Sequence, residues 1–305
     1  VKQWDVRTGL ALLAAATLAA SVLGAASLLA LSGAAQAATA APTYYVSVGD
    51  SYSIGYQPGV GATTGYAGYV AKKTHLMLAN FGCGGATTTS IIDSVGCPDI
   101  WPHTAGVHLY PTTTQAAAAE AFITAHRGHI GLITVSIGGN DVTACAAQAN
   151  PIPCVGTAVT NIEKNVTTLA TDLRAAAGPK VPLIGLTYPD MFLGVYVYPT
   201  QPATAPRLAL ASESVVAFKS LINPALGKAY AAAGGAFVDV TAATGAYAPL
   251  TTTVTVAPYG TIPQAVARVC TLTWYCQVGN IHATNAGYAL IGKLVAARYA
   301  TLRRR

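Results

Sequence analysis

The chain has 305 residues, of which 52% are hydrophobic and only 9% charged, with a formal net charge of +6 at pH 7. Arg303, Arg304 and Arg305 form the only tight basic cluster and read as a frayed tail. No basic stripe carries interleaved aromatics, which argues against nucleic acid as a partner. The cysteines and the histidines at 75, 103, 108, 126 and 129 lack the spacing of a ligand set, so neither a metal nor an organic cofactor is expected.

In chain order, Lys2 and Arg7 precede a Leu/Ala-rich stretch from Leu10 to about Leu31, followed by Ala35-Gln36-Ala37. This pattern predicts a signal peptide over residues 1–37, cleaved after Ala37, with an uncleaved membrane anchor as the alternative. Residues 38–305 suffice for one well-cored domain, and no Pro/Gly/Ser-rich linker or repeat divides them. Tyr44 to Val48 reads as a strand, ending on the turn Gly49-Asp50-Ser51. Gly68 to Leu78 reads as a helix, and Ile130 to Ile137 as a strand ending near Asn140. Val159, Ile162, Val166, Leu169 and Leu173 recur at three- and four-residue spacing, which predicts a helix with one buried face. Val181 to Leu186 is a further strand. Pro206 to Ala233 is largely helical with a break expected at Pro224, Ala236 to Val240 is a strand, and Asn285 to Leu302 is the closing helix. Strands alternating with helices predict an α/β fold with a parallel sheet covered on both faces. Sites in such sheets lie outside the carboxyl ends of the strands, where Ser51 and Asn140 would meet.

Six cysteines, at 83, 97, 145, 154, 270 and 276, follow the leader, which points to an oxidising compartment. Fifteen connectivities are possible. Arrival in three sequence-local couples favours Cys83–Cys97, Cys145–Cys154 and Cys270–Cys276.

Four separated blocks resemble the SGNH hydrolase superfamily, also called GDSL esterases and lipases, and above all its secreted, disulfide-bearing actinobacterial branch. They are Gly49-Asp50-Ser51-Tyr52-Ser53, Cys83-Gly84-Gly85-Ala86-Thr87-Thr88, Gly138-Gly139-Asn140-Asp141, and His282-Ala283-Thr284-Asn285-Ala286-Gly287-Tyr288. The resemblance implies a three-layer α/β/α sandwich with a flavodoxin-like parallel sheet. It implies Ser51 as nucleophile and His282 as its base, and it assigns the oxyanion hole to the N–H of Ser51, the N–H of Gly85 and the side-chain amide of Asn140. The chemistry asks for these groups on its own terms, since a neutral hydroxyl needs a base within hydrogen-bond reach and the oxyanion needs donors already in place. Asp50 and Asp141 are read as fixing their loops through backbone N–H groups.

The family pattern places an aspartate three residues before the histidine, and here that position is Gly279. Three substitutes can orient the imidazole: the backbone carbonyl at or near Gly279, the side chain of Asn280, or a remote carboxylate such as Asp190 or Asp239. The carbonyl is favoured, because Asn280 stands so close to His282 in sequence. The expectation is a secreted, monomeric serine esterase or lipase acting on small-molecule or lipid esters through a Ser–His dyad, touching membrane only through an uncleaved leader. Alternatives are a polysaccharide acetyl esterase, an acyltransferase, or a binding module without turnover. The aromatic segments Tyr188 to Tyr198 and Tyr247 to Tyr259 could wall the site or pack as loop core.

Overall fold

The computed structural model describes residues 43–304, and the expected signal peptide and anchor lie outside them. Five strands form one parallel sheet: β1 (Tyr44–Gly49), β2 (Met77–Asn80), β3 (Ile130–Ser136), β4 (Leu183–Leu186) and β5 (Ala236–Val238). Their spatial order is β2-β1-β3-β4-β5. This is the doubly wound order whose direction of winding reverses beside β1, opening a crevice at the carboxyl ends of β1 and β3.

Side chains on each strand divide between the two faces with period two. On β1 and β3, Val46, Val48, Ile133 and Val135 pack toward α2 (Gln115–Ala125), α4 (Pro151–Ala177) and α6 (Asn223–Ala232), the short α3 (Gly139–Thr143) preceding α4. Tyr45, Leu132, Ile184 and Leu186 pack on the other face against α1 (Gly65–Thr74) and α8 (Asn285–Leu302). The result is the three-layer α/β/α sandwich that the sequence predicts.

Helix α4 buries Ile162, Val166, Leu169 and Leu173, the residues picked out by their spacing. Each contributes roughly 1.5–3 kcal/mol by leaving water. A third apolar cluster joins Leu193, Val195 and Val197, in the segment after β4, to α7 (Gln264–Leu272). The three cysteine couples are disulfides, Cys83–Cys97, Cys145–Cys154 and Cys270–Cys276.

Several boundaries differ from the sequence reading. Helix α1 stops at Thr74, because His75 takes a left-handed conformation (φ 57°) and turns the chain back. Residues 77–80 then form edge strand β2 beside β1 instead of continuing the helix. At Pro224 the helix does not break. A π-turn over Phe218–Ile222 joins α5 (Ala205–Ala217) to α6, and Pro224 falls in the first turn of α6, where a missing N–H costs nothing. Strand β4 begins at Leu183 rather than Val181, and β5 ends at Val238, after which Asp239 caps a short helix by accepting from the Ala242 N–H.

Candidate active site

The turn after β1 is shaped by a close approach of strands. Gly49 has φ 144°, and a Cβ there would stand 2.1 Å from the Ser136 carbonyl oxygen, so only glycine lets β1 and β3 end side by side. Asp50 follows and is buried. Its Oδ1 accepts from the Tyr52 N–H (2.9 Å) and its Oδ2 from the Tyr188 hydroxyl (2.6 Å). Burial pushes this carboxyl up to about 7. Both oxygens are engaged in holding the turn, and Ser51, 8% exposed, is presented at its tip.

His282 arrives from the other end of the chain on a doubly tied loop. The Trp274 N–H donates to the His282 carbonyl (2.9 Å), and the Thr284 N–H donates to Leu272 (2.9 Å). The Cys270–Cys276 disulfide closes the segment that leads into this loop. The imidazole Nε2 lies 2.8 Å from Ser51 Oγ, and Tyr52 and Tyr56 pack against the ring. Burial lowers the imidazole to about 4.

The other ring nitrogen corrects the sequence reading. Nδ1 lies 2.7 Å from Asn280 Oδ1, and the same oxygen accepts the His282 backbone N–H at 3.0 Å. The partner is therefore the Asn280 side chain, not the carbonyl at Gly279. An Asn side chain bonding backbone two residues ahead is an Asx-turn, so proximity in sequence favours the contact. Gly279 has a different task. It sits at φ 68°, and a Cβ on it would come within 2.4 Å of the Tyr198 ring. The remote carboxylates are engaged elsewhere: Asp190 is buried and accepts from Ser214 Oγ (2.9 Å), while Asp239 is bonded by Asn223 and Tyr247.

The glycine block is fastened to the nucleophile strand and to the asparagine block. The Cys83 N–H donates to Gly49 (3.0 Å), Asn140 Nδ2 donates to Ala86 (2.8 Å), and Asp141 accepts from both the N–H and the hydroxyl of Thr88 (2.9 and 2.6 Å). Asp50 and Asp141 thus fix loops as read. The N–H groups of Ser51 and Gly85 donate to no acceptor among the described residues, and the side of Gly85 where a Cβ would stand is open. Asn140 keeps a second amide proton beyond the one given to Ala86. Ser51, Asn140, Thr143, Tyr188, Met191 and Ile281 line one narrow cleft. Gly85 borders a second cavity of about 500 Å³, together with Ser90, Ile91 and Tyr110.

Three supporting residues escaped the sequence reading. Gln115 bonds both the N–H and the carbonyl of Gly49 (2.9 and 3.1 Å), and the Tyr52 hydroxyl donates to the Ile281 carbonyl (2.6 Å). Gln57 joins Asn285 (2.8 Å) to the Trp274 indole (3.3 Å) on either side of His282. Only the position of Tyr52 beside Ser51 offered a signal for any of them. Of the aromatic segment 188–198, Tyr188 and Met191 reach the cleft, whereas Leu193, Val195 and Val197 are core.

The profile of the GDSL-like lipase/acylhydrolase family matches residues 47–290, and the chain belongs to that family. Membership makes it a hydrolase of the esterase/lipase type. Among solved structures, the extracellular lipase from Streptomyces rimosus superposes with a TM-score of 0.51 at 20% identity, covering 85% of this chain and 99% of that one. At that identity the likeness shows the fold. A putative lipolytic protein of the G-D-S-L family from Desulfitobacterium hafniense gives a TM-score of 0.43 at 10% identity, covering 84% of this chain and 98% of that one. No curated protein matches the sequence.

Proposed function

We propose that the chain hydrolyses carboxylic esters through Ser51, with His282 as general base and Asn280 as the neutral group that orients it. The observation that carries this reading is the continuous line Ser51 Oγ, His282 Nε2, His282 Nδ1, Asn280 Oδ1, with steps of 2.8 and 2.7 Å across the ring. With Nδ1–H donated to Asn280, Nε2 is the lone-pair nitrogen facing the hydroxyl. It takes the Ser51 proton as Oγ attacks the ester carbonyl and returns it to the departing alkoxide. Water then repeats the cycle on the acyl-enzyme. The N–H groups of Ser51 and Gly85 and the Asn140 amide receive the oxyanion, each donor being worth about 100- to 1000-fold in turnover.

The apolar side chains of Tyr188, Met191 and Ile281 beside Ser51 support an acyl group of an apolar ester at this site. Three disulfides support an oxidising, extracytoplasmic location. The test is a series of nitrophenyl esters from acetate to palmitate, run beside an acetylated polysaccharide. Ester cleavage that disappears in Ser51→Ala is expected. Wild-type protein that cleaves none of them and takes no label from an organophosphonate serine probe would leave a binding module as the better account.

A further inference from the structure

Acidic and basic residues mix at the end of the sheet that holds the catalytic cleft, where Asp50, Asp141, Asp190 and Asp239 stand with Arg207, Lys219 and Arg268. The opposite end is cationic. Helices α1 and α8 pack side by side and both run away from the cleft, α8 starting immediately after the His282 loop. Neither helix contains an Asp or Glu. Lys72 and Lys73 stand exposed in the last turn of α1, Arg298 lies in the last turns of α8, and Arg303 and Arg304 follow it. Lys180 is exposed just before β4 at the same edge. The acidic residues nearest this end, Glu120 and Asp172, belong to α2 and α4 on the other face of the sheet.

A surface depression opens among these cations, lined by Lys180, Val181, Gly234, Arg298 and Leu302. Arg174 forms part of its wall, but its guanidinium is committed to the carbonyls of Gly178, Pro179, Val181, Ala233 and Gly234. Arg298 is not so committed. Its Nε is buried and without a partner, and it makes no hydrogen bond among the described residues. An unpartnered buried guanidinium nitrogen is costly unless an acceptor reaches it, and a phosphate offers acceptors with matching geometry.

We propose that this edge docks on an anionic phospholipid bilayer, with a headgroup phosphate seated between Lys180 and Arg298. An apolar contact beside the charges favours a bilayer over a soluble anion: Met77, the first residue of β2, is 53% exposed just after the helix end that carries Lys72 and Lys73. Docked in this way, the protein turns its catalytic cleft away from the lipid.

Cosedimentation of the full chain with phosphatidylglycerol and with phosphatidylcholine vesicles tests the proposal. Binding to the anionic vesicles about tenfold tighter or more is expected, with the preference vanishing near 1 M salt. Replacing Lys180, Arg298, Arg303 and Arg304 by Gln removes most of it while the circular dichroism stays unchanged. The exposed pair Lys72→Gln/Lys73→Gln, remote from the core, gives a partial loss should the fourfold variant not fold. Lys2→Gln/Arg7→Gln keeps the preference. Equal binding to both vesicles, a preference that survives the fourfold variant, or one lost with Lys2 and Arg7 alone would overturn the proposal. So would tight binding of soluble polyphosphate with no vesicle preference, which would make the partner an anionic polymer.

Discussion

Asn280 Oδ1 accepts at once from the backbone N–H and lies against the ring Nδ1 of His282, two residues ahead, so one neutral oxygen sets both the turn and the imidazole. Asn280→Ala is expected to lower kcat about 100-fold with KM nearly unchanged, because the ring loses its preferred tautomer while the cleft walls remain. A loss below about threefold would show that the orientation comes from elsewhere.

The pH profile follows from the same contact. A buried imidazole with no carboxylate beside it is held near 4, and the base must be neutral to act. kcat/KM should therefore show the His282 step near pH 4, well below the ordinary imidazole range and separate from the Asp50 carboxyl near 7. Asn280→Asp places a negative charge at Nδ1, favours the imidazolium and moves that step upward. A His282 step near 6.5 in the wild type, or one unmoved in Asn280→Asp, contradicts the account.

Asp190 follows β4 of the same sheet, with its carboxyl accepting from Ser214 rather than from His282. Asp190→Asn and Asp239→Asn should keep most of the ester hydrolysis that Ser51→Ala and His282→Ala abolish. Near-complete loss in either well-folded aspartate variant would return a remote carboxylate to the mechanism.

Stability reports on Asp190 with a definite sign. Burial raises its carboxyl to about 7 from an ordinary 3.8, so the folded state holds a proton that the unfolded chain has released. Its contribution to stability falls as pH rises from about 4 to about 7 and is level above. His282, lowered to about 4, acts in the opposite direction, adding stability as pH rises from about 4 to about 6.5. Asp190→Asn deletes only the falling component. The Tm difference, variant minus wild type, should grow across that window, and a difference that is constant or shrinks would mean Asp190 is ionised in the fold.

Tyr52→Phe keeps the ring against His282 and removes the hydroxyl that donates to the Ile281 carbonyl. Leaving that carbonyl unpaired should cost about 1–3 kcal/mol of stability. Because the lost bond anchors the residue before His282, kcat is expected to fall more than KM changes, as steady-state kinetics on a soluble ester would show.

Long periodic segments were legible in the sequence for a physical reason. Helix α4 and helix α8 repeat their buried residues over many turns, and β1 and β3 are buried on both faces. Strand β2 was not legible, since four residues at the sheet edge follow a reversal at His75 that no glycine or proline announces. At the site, the blocks around Ser51, Gly85, Asn140 and His282 announced themselves. Asn280 is among the three substitutes the sequence offers but ranks behind the carbonyl, because an Asx-turn depends on φ/ψ values that residue identity alone leaves open. Gln57 and Gln115 act through contacts more than sixty residues distant in sequence, beyond any local pattern.

Only glycine fits at 279, because the Tyr198 ring occupies the space a side chain would need. An aspartate placed at 279 would collide with that ring and strain a left-handed turn, so the two positions are coupled: an acid can enter at 279 only together with a smaller residue at 198. The imidazole is thereby left to whatever residue stands at 280.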